Sequence, residues 1–288
     1  MLDGCQIFPA GDYYNRVVTT APVDANSAAM IKATADAGDT GGLNMWHPSS
    51  LYLNIANSAT PTLNVRPISG GHNPVIGNNS SQAIPWLSTF KIQSVSDKHS
   101  FTLNTSNCTE YETWDTSYTN GVLSAYSGLA MNLSQPMLPQ ESFAAVTAAG
   151  IPMLPGLVRP EEIVAGAIHH ALYFDAVYGT LNQTRYVAPS FNADGVPYKG
   201  PASETANALP LGARLRLRSN FPMSELGPQA QVIARALQTY GALVADTGCC
   251  DALQYVLSPT YPGDPFNGSD LNTLSNIHIS DFQVVDSP

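Results

Sequence analysis

The chain has 288 residues, of which 44% are apolar and only 12% charged, where about 25% charged is usual for a soluble domain. Twelve Lys and Arg against 22 Asp and Glu leave a formal charge of −10, which excludes the basic face that nucleic acid requires and disfavours an anionic membrane surface. No apolar run approaches the roughly 20 residues of a bilayer span, and the apolar content excludes a disordered chain.

The elements follow in chain order. Asp24 to Ala37 reads as a helix: Asp24 and Asn26 offer caps, Met30, Ile31 and Thr34 follow helical spacing, and Gly38 stops it. From Leu51 to about Leu133, short alternating runs are broken by Gly, Pro and Asn, as in Leu51 to Ile55, Phe90 to Val95 and Phe101 to Leu103. Period-two alternation between turn residues predicts antiparallel strands. Gln140 to Ala149 reads as a helix ended by Gly150. Pro160-Glu161-Glu162 opens another, with proline in the first turn and acids at the positive end of the helix dipole; it is expected to reach about Ala171 and pass into an apolar strand, Leu172-Tyr173-Phe174. Ala213 to Arg218 is a predicted strand. Pro228 to Tyr240 is an amphipathic helix with Val232, Ile233, Ala236, Leu237 and Tyr240 on one face, closed by Gly241. Leu243-Val244-Ala245 follows as a buried strand ending at Asp246. Strands in blocks with few helices between them predict an α+β, β-rich fold: antiparallel sheets, sandwich- or barrel-like, with three to four peripheral helices. With no repeat and no linker, the chain reads as one integrated domain, divisible into a β-rich lobe over 1–135 and a mixed lobe over 136–288.

Cys5, Cys108, Cys249 and Cys250 show neither zinc-knuckle nor C-x-x-C spacing. An even count in a low-charge chain points to an oxidising compartment. Three pairings are open, and the adjacent Cys249 and Cys250 could pair only through a strained eight-membered ring, which favours two long-range bridges. N-x-[ST] sequons occur at Asn78, Asn79, Asn104, Asn107, Asn132, Asn182 and Asn267; 20 Asn and 47 Ser and Thr in 288 positions would give roughly three by chance. The excess suggests a glycosylated, secreted protein. The opening Met1-Leu2-Asp3-Gly4-Cys5 carries no leader pattern and reads as a mature form with an added start.

No phosphate-binding, dinucleotide, zinc-protease or esterase motif is present, and no cofactor or metal is expected. The candidate sites are groupings of acids and histidines. Asp97-Lys98-His99 is followed by Glu110 and Glu112; in a strand from Cys108 to Asp115, positions 108, 110, 112 and 114 share a face. With His99 on the neighbouring hairpin strand, that face would hold an imidazole, two carboxylates and Trp114. Such a face offers an acid and a base beside an aromatic platform, as glycan hydrolysis requires; a solvated strand face would look the same. Glu162 and His169 lie two helical turns apart, within about 20° on one face, so His169 is a candidate base; a capping acid and a core histidine fit equally. His170 falls beside Ile163 instead. Asp246-Thr247-Gly248 puts a carboxyl at a strand end, although it is also a good turn, and aspartic-protease chemistry would need a second such motif. Arg214, Arg216 and Arg218 share a strand face, with Leu215 and Leu217 toward the core. They could hold a polyanion such as a uronate-rich glycan, or pair with neighbouring carboxylates. His47 and His72 fall in loops by context and are not assigned.

Four stretches carry a family resemblance. They are Cys5…Phe8-Pro9; Asp97-Lys98-His99…Asn107-Cys108…Tyr111-Glu112; Gly156-Leu157-Val158-Arg159…Glu162…Gly166…Ile168-His169-His170-Ala171-Leu172; and Gly212-Ala213-Arg214-Leu215-Arg216-Leu217 through Gln229…Ala236-Leu237…Tyr240-Gly241…Val244-Ala245-Asp246-Thr247-Gly248. Together they resemble a family of uncharacterised secreted bacterial proteins over roughly residues 5 to 285, which supports a single domain. The family has no assigned activity, so the resemblance implies no reaction. It does imply that Cys5 pairs with Cys108, leaving Cys249 and Cys250 bonded to each other or free. The chain departs from the pattern where relatives tend to carry an acidic stretch before the Asp-x-His motif; here that region reads Asn78-Asn79-Ser80-Ser81, and any chemistry resting on those acids would be lost.

The expectation is a secreted, glycosylated protein directed at carbohydrate or another extracellular polymer. A non-catalytic glycan-binding or structural surface protein, self-association included, is slightly favoured by the neutral surface. The alternative is a glycan hydrolase or polysaccharide lyase using Glu110 and Glu112 with His99 or His169. Convergence of His99, Glu112, His169 and Asp246 in one cleft would favour the enzyme.

Overall fold

A computed structural model describes residues 1–68, 83–137, 146–193, 195–261 and 263–286, with backbone alone at 46–50. Nine strands form one sheet: β1 (Asn44–Ala56), β2 (Ser100–Asn104), β3 (Thr109–Trp114), β4 (Ser127–Asn132), β5 (Leu172–Val177), β6 (Arg214–Leu217), β7 (Ala242–Gly248), β8 (Ala252–Leu257) and β9 (Phe282–Val285). Their order is β9-β6-β7-β5-β8-β1-β2-β3-β4, so the sheet takes strands from both halves of the chain. Helices α1 (Ser27–Asp36), α2 (Pro160–Ala165), α3 (Pro228–Thr239) and α4 (Gly268–Leu271) complete an α+β, β-rich fold. Small ribbons, among them Thr62–Asn64 with Ala83–Pro85 and Ser117–Thr119 with Val122–Ala125, cover a satellite core of Val65, Ile84, Trp86, Leu123 and Ala125.

The sheet is mixed rather than antiparallel throughout. β7 runs parallel to β5, β8 to β1 and β1 to β2, whereas β6, β9, β3 and β4 pair antiparallel. The reason is visible in Leu172-Tyr173-Phe174 and Leu243-Val244-Ala245, all buried: continuous apolar runs suit parallel strands covered on both faces, not half-solvated antiparallel ones. At the middle of the sheet, β5 and β8 run in opposite directions and meet in a single register pair, Asp175 with Ala252. The sheet therefore has a seam between its two halves. At that seam the turn after β7 arches over the end of β5, with the Tyr178 amide donating to the Gly248 carbonyl at 2.8 Å and the Val177 amide to Asp251 Oδ1 at 3.2 Å.

Several local expectations need correction. α2 stops at Ala165 instead of reaching Ala171, because Gly166 turns left-handed at φ 73° and closes the helix; His169 and His170 are thus off the helix. Phe90 to Val95 is not a strand, since the Asn54 side chain brackets Lys91 (Lys91 amide to Oδ1 2.8 Å, Nδ2 to the Lys91 carbonyl 2.9 Å) and takes the place of a ladder partner. Of the helix expected over 140–149, residues 140–145 lie outside the described residues and 146–149 form a bend and turn, with the Gly150 amide bonded to the Thr147 carbonyl at 3.1 Å. α1 and α3 match expectation. After α3, Gly241 at φ 71° passes the chain directly into β7, and a Cβ there would lie 2.4 Å from the Leu215 carbonyl oxygen. Cys5 is bonded to Cys108, tying the N-terminal segment to the start of β3. No helix among the described residues is long and apolar enough to cross a membrane.

Candidate functional site

At the seam the sheet edge opens into a cleft of about 610 Å³. The C-terminal ends of β5 and β7 supply Asp175 and Asp246, which are near neighbours on adjacent parallel strands. The N-terminal end of β8 supplies Gln254, and the segment before β2 supplies Asp97 and His99. Trp114 at the end of β3 and Tyr126 before β4 make an aromatic wall, with their rings edge to face at 5.1 Å. Val146, Thr147 and Ala148 close another side, and Cys249 and Cys250 stand in the arch. The cleft lies beside the carboxyl ends of the parallel strands β5 and β7, the side of an open sheet on which ligands commonly bind.

Asp175 is held firmly. The Tyr173 hydroxyl donates to its Oδ1 at 2.7 Å and Gln254 Nε2 to its Oδ2 at 2.8 Å. Burial raises this carboxyl to about 6, against the lowering effect of those two donors. Asp246 accepts the Thr247 amide at 2.8 Å and the Ala148 amide. Burial and the nearby Asp175 together raise its carboxyl to about 8. At neutral pH the pair thus consists of one charged and one protonated carboxyl, the arrangement expected when two acids share a poorly solvated site. Burial lowers His99 to about 4, so its ring is neutral; it stacks on Phe101 at 6.0 Å, and its Nδ1 has no hydrogen-bond partner among the described residues. The Cys249 and Cys250 sulfurs lie 2.6 Å apart, both unbonded to any other cysteine. Burial, with Cys249 beside it, pushes the Cys250 thiol up to about 12.

Of the residues expected from sequence, the cleft collects His99, Asp246, Trp114, Cys249 and Cys250. In comparisons with family models, with curated proteins and with solved structures, nothing matches the chain. The chemistry of the cleft therefore has to be read from its own side chains.

The remaining candidates lie elsewhere. Glu110 and Glu112 share a face as expected, but it is the inner one: they pair across β2 with Leu103 and Phe101, and both are 0% exposed. Glu112 caps the chain before Leu154–Gly156, taking the Met153 amide on both oxygens (3.0 and 2.9 Å) and the Leu154 amide at 2.7 Å. Burial raises both carboxyls, and Glu112 beside it raises Glu110 further. Glu162 pairs with His170, not His169: His170 Nε2 bonds Glu162 Oε1 at 3.0 Å, Nδ1 bonds the Ala171 carbonyl at 2.8 Å, and the Arg159 guanidinium also bonds Glu162. Burial pushes Glu162 up, but His170 and Arg159 outweigh it and hold the carboxyl at about 2. His169 is exposed, edge-on to Tyr240, on a second cavity of about 580 Å³.

The arginine row makes no anion site. Arg214 is 1% exposed, with its guanidinium on the Tyr13 and Tyr240 carbonyls. Arg216 bonds the carbonyls of Val18, Thr19 and Ala21 and the Gln283 side chain, and Arg218 reaches the Ser280 carbonyl. Among the sequons, Asn107, Asn132 and Asn267 are exposed and Asn104 is half-buried, whereas the Asn182 amide is buried on the Thr205 carbonyl at 2.9 Å. Asn78, Asn79, His72 and the His47 side chain lie outside the described residues. Among the described residues, no group of three or more His, Cys, Asp or Glu side chains is arranged to hold a metal ion.

Asp175 is the residue sequence reasoning missed. Its signal was present in Leu172-Tyr173-Phe174-Asp175-Ala176-Val177, where an apolar strand continues through a carboxyl in a chain with few charges.

Proposed function

We propose that the cleft is the active site of a secreted, carbohydrate-directed hydrolase in which Asp246 is the general acid and Asp175 the nucleophile. The observation that carries this reading is the pairing of two carboxyls, Asp175 and Asp246, in register on adjacent strands and lining one cleft with an aromatic wall, where burial raises both. Register partners on adjacent strands start from backbones about 5 Å apart, close enough for their carboxyls to take the short separation of glycosidases that retain anomeric configuration. In the first step Asp175 would attack the anomeric carbon while Asp246 gives its proton to the departing oxygen. In the second, the Asp246 carboxylate would take a proton from water, which breaks the glycosyl ester and restores both groups. Trp114 and Tyr126 offer rings against which the C–H face of a sugar packs. The Glu and His pairings expected from sequence have no part in it, and the non-catalytic binding protein ranks second because a binding surface has no need of two carboxyls in opposite charge states.

The test is release of reducing ends from a panel of polysaccharides by wild type, Asp175→Asn and Asp246→Asn. Release by wild type, lost in both variants with unchanged circular dichroism, supports the reading. Glycan binding without turnover between pH 6 and pH 8 returns the protein to the non-catalytic class.

A further inference from the structure

The charge of the cleft is one-sided. Asp97, Asp175 and Asp246 all line it, and among the described residues no Lys or Arg does. Lys98, the cation nearest in sequence, bonds Asp115 at 2.8 Å. The arginine row, the chain's densest positive stretch, is engaged with backbone carbonyls elsewhere. Asp97 is exposed at the lip; its carboxylate has the Ser96 hydroxyl at 3.4 Å and no cation partner among the described residues. Its charge is felt by His99, Asp175 and Asp246.

This sorts ligands by charge. A uronate or sulfated sugar would bring an anion against Asp175 and Asp97 with no guanidinium or ammonium to receive it. A neutral sugar would leave Asp97 unpaired at the mouth. A protonated amine on the sugar would supply the missing cation, as a charge-assisted hydrogen bond to a carboxylate. Resting on the reading of the cleft as a glycan site, we propose that its preferred ligand is an amino sugar with a free amine, whose ammonium is received by Asp97. The Trp114 and Tyr126 wall holds the ring, and the aspartate at the lip chooses the substituent.

The experiment is equilibrium binding at pH 6.5 of four oligosaccharides of equal length: glucosamine, N-acetylglucosamine, glucose and galacturonate tetramers. Wild type is measured beside Asp246→Asn, so that turnover does not deplete ligand. The glucosamine tetramer is expected to bind roughly tenfold tighter than the acetylated one in 20 mM salt, and the gap should shrink to about twofold in 500 mM salt, because an attraction at an exposed carboxylate is screened. Asp97→Asn should close most of the low-salt gap; the side chain is exposed, so the fold does not depend on it. Equal or tighter binding of the acetylated or glucose tetramer, or a preference that Asp97→Asn leaves intact, overturns this inference while the carbohydrate reading stands. Tightest binding of the galacturonate tetramer overturns it too. Binding of none of the four overturns the carbohydrate reading beneath it.

Discussion

Two pairs of carboxyls sit on the same sheet and do opposite things. Glu110 and Glu112 face the core from β3, with no exposed surface, and Glu112 uses its carboxyl oxygens to receive the Met153 and Leu154 amides. Asp175 and Asp246 stand at the strand ends over an open cleft, held by Tyr173, Gln254 and two backbone amides. In both pairs burial is the first cause that raises the carboxyls. Paired, perturbed acids therefore do not by themselves mark a site. What separates the pairs is access: a ligand can reach the second and not the first.

The sharpest way to break this comparison is to neutralise each pair and read activity. Asp175→Asn and Asp246→Asn are each expected to lower kcat/KM on a responsive glycan by about 10³-fold, a loss in the range for a positioned acid or nucleophile. Glu110→Gln should stay within about threefold of wild type, because a buried group that never meets ligand contributes nothing to the barrier. A drop in Glu110→Gln equal to that in Asp246→Asn would erase the distinction. The same pair predicts a bell-shaped pH dependence. Asp175 must be charged and Asp246 protonated, so activity should rise through about 6 and fall through about 8. Asp246→Asn should abolish the alkaline limb in whatever activity remains.

Stability should sort the pairs the other way. Glu112→Ala leaves the Met153 and Leu154 amides buried without an acceptor, at a cost of about 3 kcal/mol. The melting midpoint should fall by about 6–10 °C in differential scanning calorimetry. The strand of chain it anchors leads from the cleft wall at Val146–Ala148, so KM should rise as well. A midpoint within a degree of wild type would show that the amides find other partners.

How much of this was legible beforehand follows from distance along the chain. α3, β6 and β7 were readable because their patterns are local: a proline start, an amphipathic face, a left-handed glycine and an apolar run. Asp246 was recognisable as a carboxyl at a strand end, and His99 and Trp114 as an imidazole and an aromatic ring on one face, although that face was assigned to Glu110 and Glu112. The burial of Glu110 and Glu112 was not, since alternation says which residues share a face but not which face another segment covers; the cover comes from residues some 40 positions on. The arginine row failed for the same reason, with the Tyr13, Val18, Thr19 and Ala21 carbonyls among its acceptors, roughly 200 positions earlier. Gly166 is a different case, because a helix-stopping glycine was in plain view and the apolar continuation to Leu172 hid it.

The smallest effect separates the pairs by their titration in the folded protein. A carboxyl raised above its unfolded value keeps its proton after the unfolded chain has released its own, so folding stability falls as pH rises. For Asp246 that window runs from the ordinary 3.8 to about 8, above which the folded group has also ionised and the slope ends. For sealed Glu110, raised well above 4.5 by burial and by Glu112 beside it, the sign is the same and the window begins near 4.5. Asp246→Asn should therefore raise the melting midpoint at pH 8 by about 2–4 °C, a gain of roughly 1 kcal/mol once screening by the solvent in the cleft is allowed for, and add nothing more at pH 9. Glu110→Gln should raise the midpoint by more than Asp246→Asn does over the same range, since Glu110 is sealed from the solvent that screens Asp246. Midpoints at pH 5, 7, 8 and 9 decide it: parallel curves for the two variants would mean that solvent reaches both pairs alike, and access would no longer explain why only one of them faces a ligand.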